Sequence, residues 1–238
     1  MDNIKFFRIL WRFNAIMIGL ASIIIIAASI YNLIERKTSH QSSSVYLPES
    51  SAQARLEKEK WEFGGIKLIE ESNTIVLSIL SKQKFYSKET TATRNYIFIN
   101  AEKNSYFWLF NNNDYIIDQF SIVTKNDVIR LWHYDSEHSD TELISLYFVV
   151  YKTDTNHDDA IKTSDKATIA LTKPDGTGYT EIESGIDKVE ASTVINDGKY
   201  LVLFFQKAGN FYNAKYDLET FKKVSEQQIE TGNLVISD

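Results

Sequence analysis

The segment from Asp154 to Asp165, DTNHDDAIKTSD, carries oxygen-bearing side chains at the spacing of a calcium-binding loop. Asn156 and Asp158 stand at positions 3 and 5 after Asp154, and Asp165 closes the loop at position 12. This is the D-x-[DN]-x-[DN] pattern of EF-hand-like loops, in which alternate side chains point inward at a hard cation. The sequence therefore predicts a Ca²⁺ site formed by these four side chains and the main-chain carbonyl of Ala160.

Two residues of this loop depart from the usual pattern. Asp159 stands at position 6, where Gly normally makes the sharp turn, although Asp also adopts a positive φ. Asp165 replaces the usual Glu and has a shorter reach. Ile161, at position 8, is expected to anchor the loop to the core. The alternative is a solvated acidic hairpin tip that holds no ion.

Other groups of titratable side chains give weaker indications. HYDSEHSD at 133–140 would suit a transition metal, but its spacing matches no common site and an exposed polar turn is the alternative. The carboxylates Glu70, Glu71, Asp187 and Glu190 would suit acid–base chemistry, with ordinary surface charge as the alternative. The chain contains no G-x-S-x-G, H-E-x-x-H, Walker A or dinucleotide motif, so we expect no enzyme.

Three tryptophans in the same part of the chain, Trp61, Trp108 and Trp132, would suit a platform on which sugar rings stack. Tryptophans more often pack in a core or on a strand face, and that is the alternative interpretation.

From residue 61 onward, short apolar runs rich in Val, Ile, Phe and Tyr alternate with turn residues such as PDGTG (174–178) and NDG (196–198). Runs this closely spaced leave no room for intervening helices, so we expect antiparallel meanders. Strand–turn–strand units recur in groups of about four strands, as in propeller blades. The predicted fold is all-β, an open or partial three-blade propeller-like stack, with a β-sandwich as the alternative.

The longest apolar run, residues 13–34, has 22 residues and no charge, which is enough to span a bilayer as a helix. Three basic residues precede it and two follow it, so we expect the N-terminus in the cytoplasm and the remainder outside. A cleaved signal peptide is the alternative, but its apolar region would be shorter. The predicted organisation is a cytoplasmic flank at 1–12, a signal-anchor helix at 13–34, a linker or short helix at 35–60, and an exported β-domain at 61–238.

Charge separates the two parts of the chain. Residues 1–37 contain five basic and two acidic side chains, a net +3, so the remainder carries −6 − 3 = −9. An acidic domain argues against nucleic acid as a partner. The chain has no Cys, which excludes disulfides, thiolate metal sites and Cys nucleophiles.

Several segments together resemble a group of bacterial membrane-anchored β-propeller-like proteins that carry an EF-hand-like DxNxD hairpin loop. The resemblance lies in YKTDTNHDDAIKTSDKATIALTKPDGTGYTEI, in NYIFINAEKNSYFWLFNNNDYII and in VINDGKYLVLFFQKAGNFYNAKYDLETFKKV. It covers about residues 74–230, and it implies a propeller-like fold and no enzymatic activity.

The sequence thus predicts a non-enzymatic, single-pass protein of the bacterial inner membrane with its β-domain in the periplasm or outside the cell. We expect it to contact the bilayer through residues 13–34 and to bind a membrane or envelope protein, as an accessory subunit with a structural calcium site. Two alternatives are an envelope hydrolase of the propeller type and a ligand sensor. A sensor would need a partner, because only about twelve residues precede the span.

Overall fold

The computed structural model describes residues 44–46, 59–85, 88–133 and 142–230. The predicted flank 1–12, the predicted span 13–34 and most of the predicted linker lie outside these residues. Within the described part of the chain, no helix has the length and hydropathy to cross a membrane. The anchor therefore stays a prediction.

The described residues form strands joined by short turns, with 3₁₀ turns at Glu70–Ser72 and Leu131–His133. In chain order the strands are β1 (Ser44–Tyr46), β2 (Lys60–Ile69), β3 (Thr74–Phe85), β4 (Lys88–Asn100), β5 (Ser105–Trp108), β6 (Ile116–Thr124), β7 (Val128–Arg130), β8 (Leu143–Tyr151), β9 (Ala160–Lys162), β10 (Ala167–Thr172), β11 (Thr180–Ile186), β12 (Lys188–Ile195), β13 (Tyr200–Lys207), β14 (Asn210–Asp217) and β15 (Lys223–Ile229). The all-β class predicted for the domain is confirmed for these residues.

Three antiparallel sheets follow one another along the chain. The first sheet has the order β2-β3-β4-β5, the middle sheet β11-β10-β8-β6-β7 and the last sheet β12-β13-β14-β15. Within the middle sheet, β6, β8, β10 and β11 form a meander like the other two, and β7 adds a short fifth strand beside β6. The predicted grouping into antiparallel meanders of about four strands is confirmed.

One strand lies inside the segment predicted to be a linker. β1 pairs with β9 in a separate two-stranded sheet, with Val45 opposite Ile161. Both side chains are buried and join the same hydrophobic cluster. Three residues are too short to reveal a strand by periodicity, and their partner is more than 100 positions away, so only tertiary contact defines this strand.

The middle sheet is buried on both faces. In β8, Tyr147, Val149 and Tyr151 belong to a cluster shared with the last sheet. Leu146 and Phe148, which alternate with them along the strand, belong to a second cluster shared with the first sheet. Successive side chains of a strand point to opposite faces, so the continuous apolar run of β8 serves two cores at once.

Residues with positive φ make the tight turns between strands. Asn196 and Asp197, with φ of 55° and 54°, connect β12 to β13, as the NDG sequence predicted. Gly198 follows with φ of 84°, and a Cβ there would lie 2.2 Å from Ile144 Cδ1. The turn therefore packs too closely on β8 for a larger residue.

A buried carboxylate joins the middle sheet to the last one. Glu183 on β11 is 7% exposed and accepts a 2.8 Å hydrogen bond from Tyr216 Oη. Lys207 Nζ lies 2.7 Å from its Oε1, and Lys223 Nζ lies 2.5 Å from its Oε2. Burial acts to raise the pKa of Glu183, but these three hydrogen bonds outweigh it and the pKa is lowered.

We expect Glu183→Gln to destabilise the fold by about 2 kcal/mol at neutral pH, because the hydrogen bonds of a buried carboxylate to two ammonium groups lose their charge. The pKa of Glu183 is lower in the folded than in the unfolded state, so its stabilisation is complete above the unfolded value of about 4.3. It is lost as the pH falls through the folded value. Urea unfolding at pH 7 and pH 3 measures this, and the difference between the variant and the unmodified chain should shrink at pH 3.

Glu181→Gln on the same strand is the matched control, since Glu181 is exposed and pairs with Lys152. An equal loss of stability in both variants would show that the Glu183 cluster has no special role.

Candidate functional site

The predicted calcium loop is a tight turn held by its own hydrogen bonds. Asp154 Oδ1 accepts from the Asp158 amide at 3.2 Å, and its Oδ2 accepts from the Asp159 amide at 2.9 Å. Asn156 Oδ1 accepts from the Asp158 amide at 3.1 Å. Asp159 has φ of 65° and His157 has φ of 59°. Asp159 thus takes the left-handed conformation that position 6 requires.

Asp165, at the closing position, is 1% exposed and fully engaged with the loop backbone. Its Oδ1 accepts from the Thr155 amide at 2.7 Å, the Thr155 hydroxyl at 3.0 Å and the Asn156 amide at 3.3 Å. Its Oδ2 accepts from the Lys162 amide at 2.8 Å. This carboxylate therefore closes the loop by itself, as a buried acceptor of four hydrogen bonds.

The remaining predicted ligands also have partners in the protein. Asp158 pairs with Lys162 at 2.8 Å, and the hydrogen bond from Lys162 is the main cause that lowers the pKa of Asp158. Ala160 is buried in β9, opposite Tyr46. Among the described residues, no three His, Cys, Asp or Glu side chains are grouped to hold a metal ion. The loop keeps its shape through hydrogen bonds, and the Ca²⁺ site stays a prediction.

The other titratable candidates do not converge. Asp187 pairs with Lys166 and accepts from the Gly209 amide at 3.4 Å, whereas Glu190 pairs with Lys188 at 3.0 Å. The pair Glu70–Glu71 lies in an exposed 3₁₀ turn. Most of HYDSEHSD lies outside the described residues. Asp187 and Glu190 thus act as surface ion-pair partners, and no shared pocket brings these carboxylates together among the described residues.

A groove of about 700 Å³ lies between turns of the middle and last sheets. Lys125 in this groove lies 2.7 Å from Glu142 and 4.0 Å from Asp197. The two carboxylates are 66% and 83% exposed, so they remain hydrated and form an ordinary surface pair. The groove gives no specific support to hydrolytic chemistry.

The three tryptophans are 41–50% exposed, so they are not core residues. Trp61 and Trp108 line one recess, whereas Trp132 lies against Gly65 on β2, where an added Cβ would come within 2.5 Å of the indole ring. The structure therefore places Trp61 and Trp108 on a strand face and does not bring the three tryptophans together as one platform.

The first sheet presents an apolar face to the outside. Its register aligns three cross-strand rows: Phe63–Ile79, then Ile66–Leu77–Ile97–Trp108, then Leu68–Ile75–Ile99–Tyr106. The other face of this sheet holds Val76 and Phe98 in the core shared with the middle sheet. We call these ten residues the apolar face. Phe63, Ile66 and Tyr106 are 73%, 69% and 69% exposed.

A bulge in β2 makes this face continuous. The register shifts between Phe63 and Ile66, so that the two residues Gly64 and Gly65 stand opposite Ser78 alone. In a regular strand without this bulge, Phe63 and Ile66 would be three positions apart and would point to opposite faces. A Cβ on Gly64 would come within 2.3 Å of Ser78 Oγ, so the bulge needs residues without a side chain.

Sequence reasoning missed the apolar face. The signal was present in KWEFGGIKLI, where Trp61 and Phe63, then Ile66 and Leu68, alternate with polar residues on either side of the glycine pair. A glycine pair inside an alternating pattern indicates a bulge.

The apolar face contains a recess of about 240 Å³. Its lining consists of Trp61, Glu62, Phe63, Ile79, Trp108 and Asn113. Asn95 Nδ2 donates to Asn113 Oδ1 and to the Phe110 carbonyl, both at 2.9 Å, which fixes the loop after β5 on β4. Arg94 Nε donates to the Asn113 carbonyl at 2.7 Å, and the guanidinium lies 6.0 Å from the Trp61 ring centre.

Arg94 is a buried cation that contacts two residues of the recess lining, Trp61 and Asn113. Its side chain is 5% exposed, and its Nη1 has no hydrogen-bond partner. Burial lowers the pKa of Arg94, while the nearby charges of Glu59 and Asp114 act to raise it. An arginine remains charged under these conditions, so this cation holds the Trp61 ring and the loop at Asn113 together.

No family model matches the chain, and no curated protein matches it. Among solved structures, it is similar to the β-propeller domain of the trilobed protease from Pyrococcus furiosus, described as having an open velcro topology. That likeness has 8% identity, a TM-score of 0.38, and coverage of 72% of this chain and 44% of the other. A luciferin-regenerating enzyme gives 10% identity, a TM-score of 0.33, and coverage of 72% and 64%.

The chain thus spans less than two thirds of each of these proteins. At these identities and TM-scores, the likeness is distant and assigns neither a family nor an activity.

For the loop, we expect Asp165→Asn to lower the free energy of unfolding by about 2–3 kcal/mol. Both carboxylate oxygens of Asp165 accept hydrogen bonds, and in Asn one of them is replaced by an NH₂ group, which then faces an N–H or O–H donor of the loop. Asp175→Asn is the control, since Asp175 also accepts hydrogen bonds within a turn but is exposed. Urea unfolding of the full chain measures both. Equal, small effects would contradict the role given to Asp165.

For calcium, we expect the melting temperature to be a few degrees higher in millimolar Ca²⁺ than in EDTA, if the site has millimolar affinity. Asp154→Asn should abolish that difference, because it removes one anionic ligand but keeps an oxygen for the loop amides. The same melting temperature in Ca²⁺ and EDTA for the unmodified chain would leave the segment as an acidic hairpin tip.

Proposed function

We propose that this chain is a non-enzymatic, membrane-anchored binding protein of the bacterial envelope. Its exported domain is an open, propeller-like stack of three sheets that holds a protein partner against the apolar face. The anchor is the uncharged run at 13–34, and the envelope location follows from that run and its basic flank.

The observation that carries this proposal is the exposure of the apolar face. Folded domains rarely leave large apolar side chains contiguous on the surface unless something binds there. Here all ten residues of the three rows are apolar or aromatic, and five of them are more than 40% exposed. Trp, Tyr and Phe are also the residues that most often dominate the energy of protein interfaces.

The propeller-like arrangement is supported by the order of the sheets. Three meanders follow one another along the chain, and the middle sheet shares one core with each neighbour. Such a stack leaves an outer face at each end. A partner at the first sheet would continue the same kind of face-to-face packing.

We expect the double variant Phe63→Ser/Ile66→Ser to reduce partner capture at least about tenfold, since it removes two large exposed apolar contacts. The measurement is quantitative mass spectrometry of proteins captured with the tagged full chain from native membranes in mild detergent. The matched control is Val224→Ser/Ile229→Ser, which changes two exposed apolar residues on β15. The same set and amounts of captured proteins from all three chains would overturn the proposal.

A further inference from the structure

The apolar face carries no charge. None of its ten residues is Asp, Glu, Lys, Arg or His, and Asn95, which lies opposite Ile79 on this face, uses its amide within the protein. The recess is also lined by Glu62, whose charge is paired with that of Lys82 at 2.8 Å. Two copies of a neutral surface approach each other without like-charge repulsion at the contact, so this face suits an isologous contact with itself.

The same face carries both protruding side chains and a recess. Tyr106 and Ile66 are each 69% exposed, whereas Ile79 is 5% exposed at the floor of the 240 Å³ recess. Tyr106 lies in the row at one end of the face, and the recess lies at the other end, beside Phe63. A two-fold axis across the strands through the middle row places the Tyr106 end of one copy over the recess end of the other.

The opposite end of the stack is a poorer partner for this face. The outer face of the last sheet carries Tyr200 on β13, with Lys199 and Lys215 at 5.1 and 4.9 Å from the ring centre. Packing the apolar face there would remove two ammonium groups from water against a surface that offers them no counter-charge. A head-to-tail contact is therefore less favourable than a contact between two first sheets.

From these observations we infer that the occupant of the apolar face is a second copy of this chain, bound first sheet to first sheet. The inference rests on the proposed function, because it identifies the partner at the same surface. Four strands about 4.8 Å apart and five residues along β3 give a flat area of roughly 300 Å². A standard interface buries about 800 Å² per partner, so the contact is weak in solution and gains from confinement in a membrane.

The net negative charge of the domain predicts that the dimer becomes more stable as the salt concentration rises. Residues 38–238 carry −9, so two copies repel each other at long range while their neutral faces attract. Added salt screens the repulsion and should strengthen the dimer. A basic partner protein would show the opposite dependence.

The absence of Cys from the chain permits a clean cross-linking test in native membranes. Ile66→Cys and, separately, Tyr106→Cys are treated with a short bis-maleimide in the full-length protein. Val224→Cys on β15 is the control at a comparably exposed position. We expect the Ile66→Cys variant, whose two thiols lie beside the two-fold axis, to give at least about tenfold more cross-linked dimer than the control, with a yield that increases with salt. Tyr106→Cys places its two thiols at opposite ends of the contact and should cross-link less than Ile66→Cys. Adding Phe63→Ser to Ile66→Cys should reduce the yield.

Three outcomes separate this inference from the proposed function. A dimer that depends on Phe63 supports both. A thiol at position 66 that is protected from a water-soluble maleimide but forms no dimer means that another protein or lipid covers the face, which overturns self-association. The partner-capture experiment then decides whether the proposed function survives. Thiols at positions 66 and 106 that react freely and form no dimer overturn both.

Discussion

The architecture depends on one constraint, which is that the middle sheet is apolar on both faces. Its strand β8 places Tyr147 and Val149 in one core and Phe148 in the other, so neither neighbouring sheet can be removed without exposing a core. Both outer sheets are thereby fixed by their inner faces. Their outer faces are not needed for folding, and their composition is free to serve another purpose.

The outer faces of the two outer sheets differ in composition. On the last sheet, lysine side chains lie over Tyr200, and β15 is exposed and polar along most of its length. Such an edge resists pairing with other chains. On the first sheet, Phe63 and Ile66 have no such cover. The Glu183 cluster adds a polar contact between the middle and last sheets.

The parts of the fold that depend on local sequence could be predicted, and the parts that depend on distant contacts could not. The NDG turn and the apolar run of β8 carry their own signals. β1 has none, because its strand exists only through β9. The loop from Asp154 to Asp165 shows a subtler limit. Carboxylates spaced to coordinate a cation are also spaced to accept amide hydrogen bonds, so spacing alone does not distinguish an ion site from a self-closed turn.

The bulge in β2 connects local sequence to the proposed function. A strand without it would divide its apolar residues between the two faces, placing Phe63 outside and Ile66 against the core of the neighbouring sheet. The core side already has Ile69 and Val76 fully buried, so it needs no further apolar residue. The glycine pair instead adds to the outer face, at the conformational cost of two glycines in a strand. A feature that weakens the strand and enlarges an exposed apolar surface has no benefit for the isolated domain. It becomes favourable once that surface is covered, which is the physical reason to regard the apolar face as an interface.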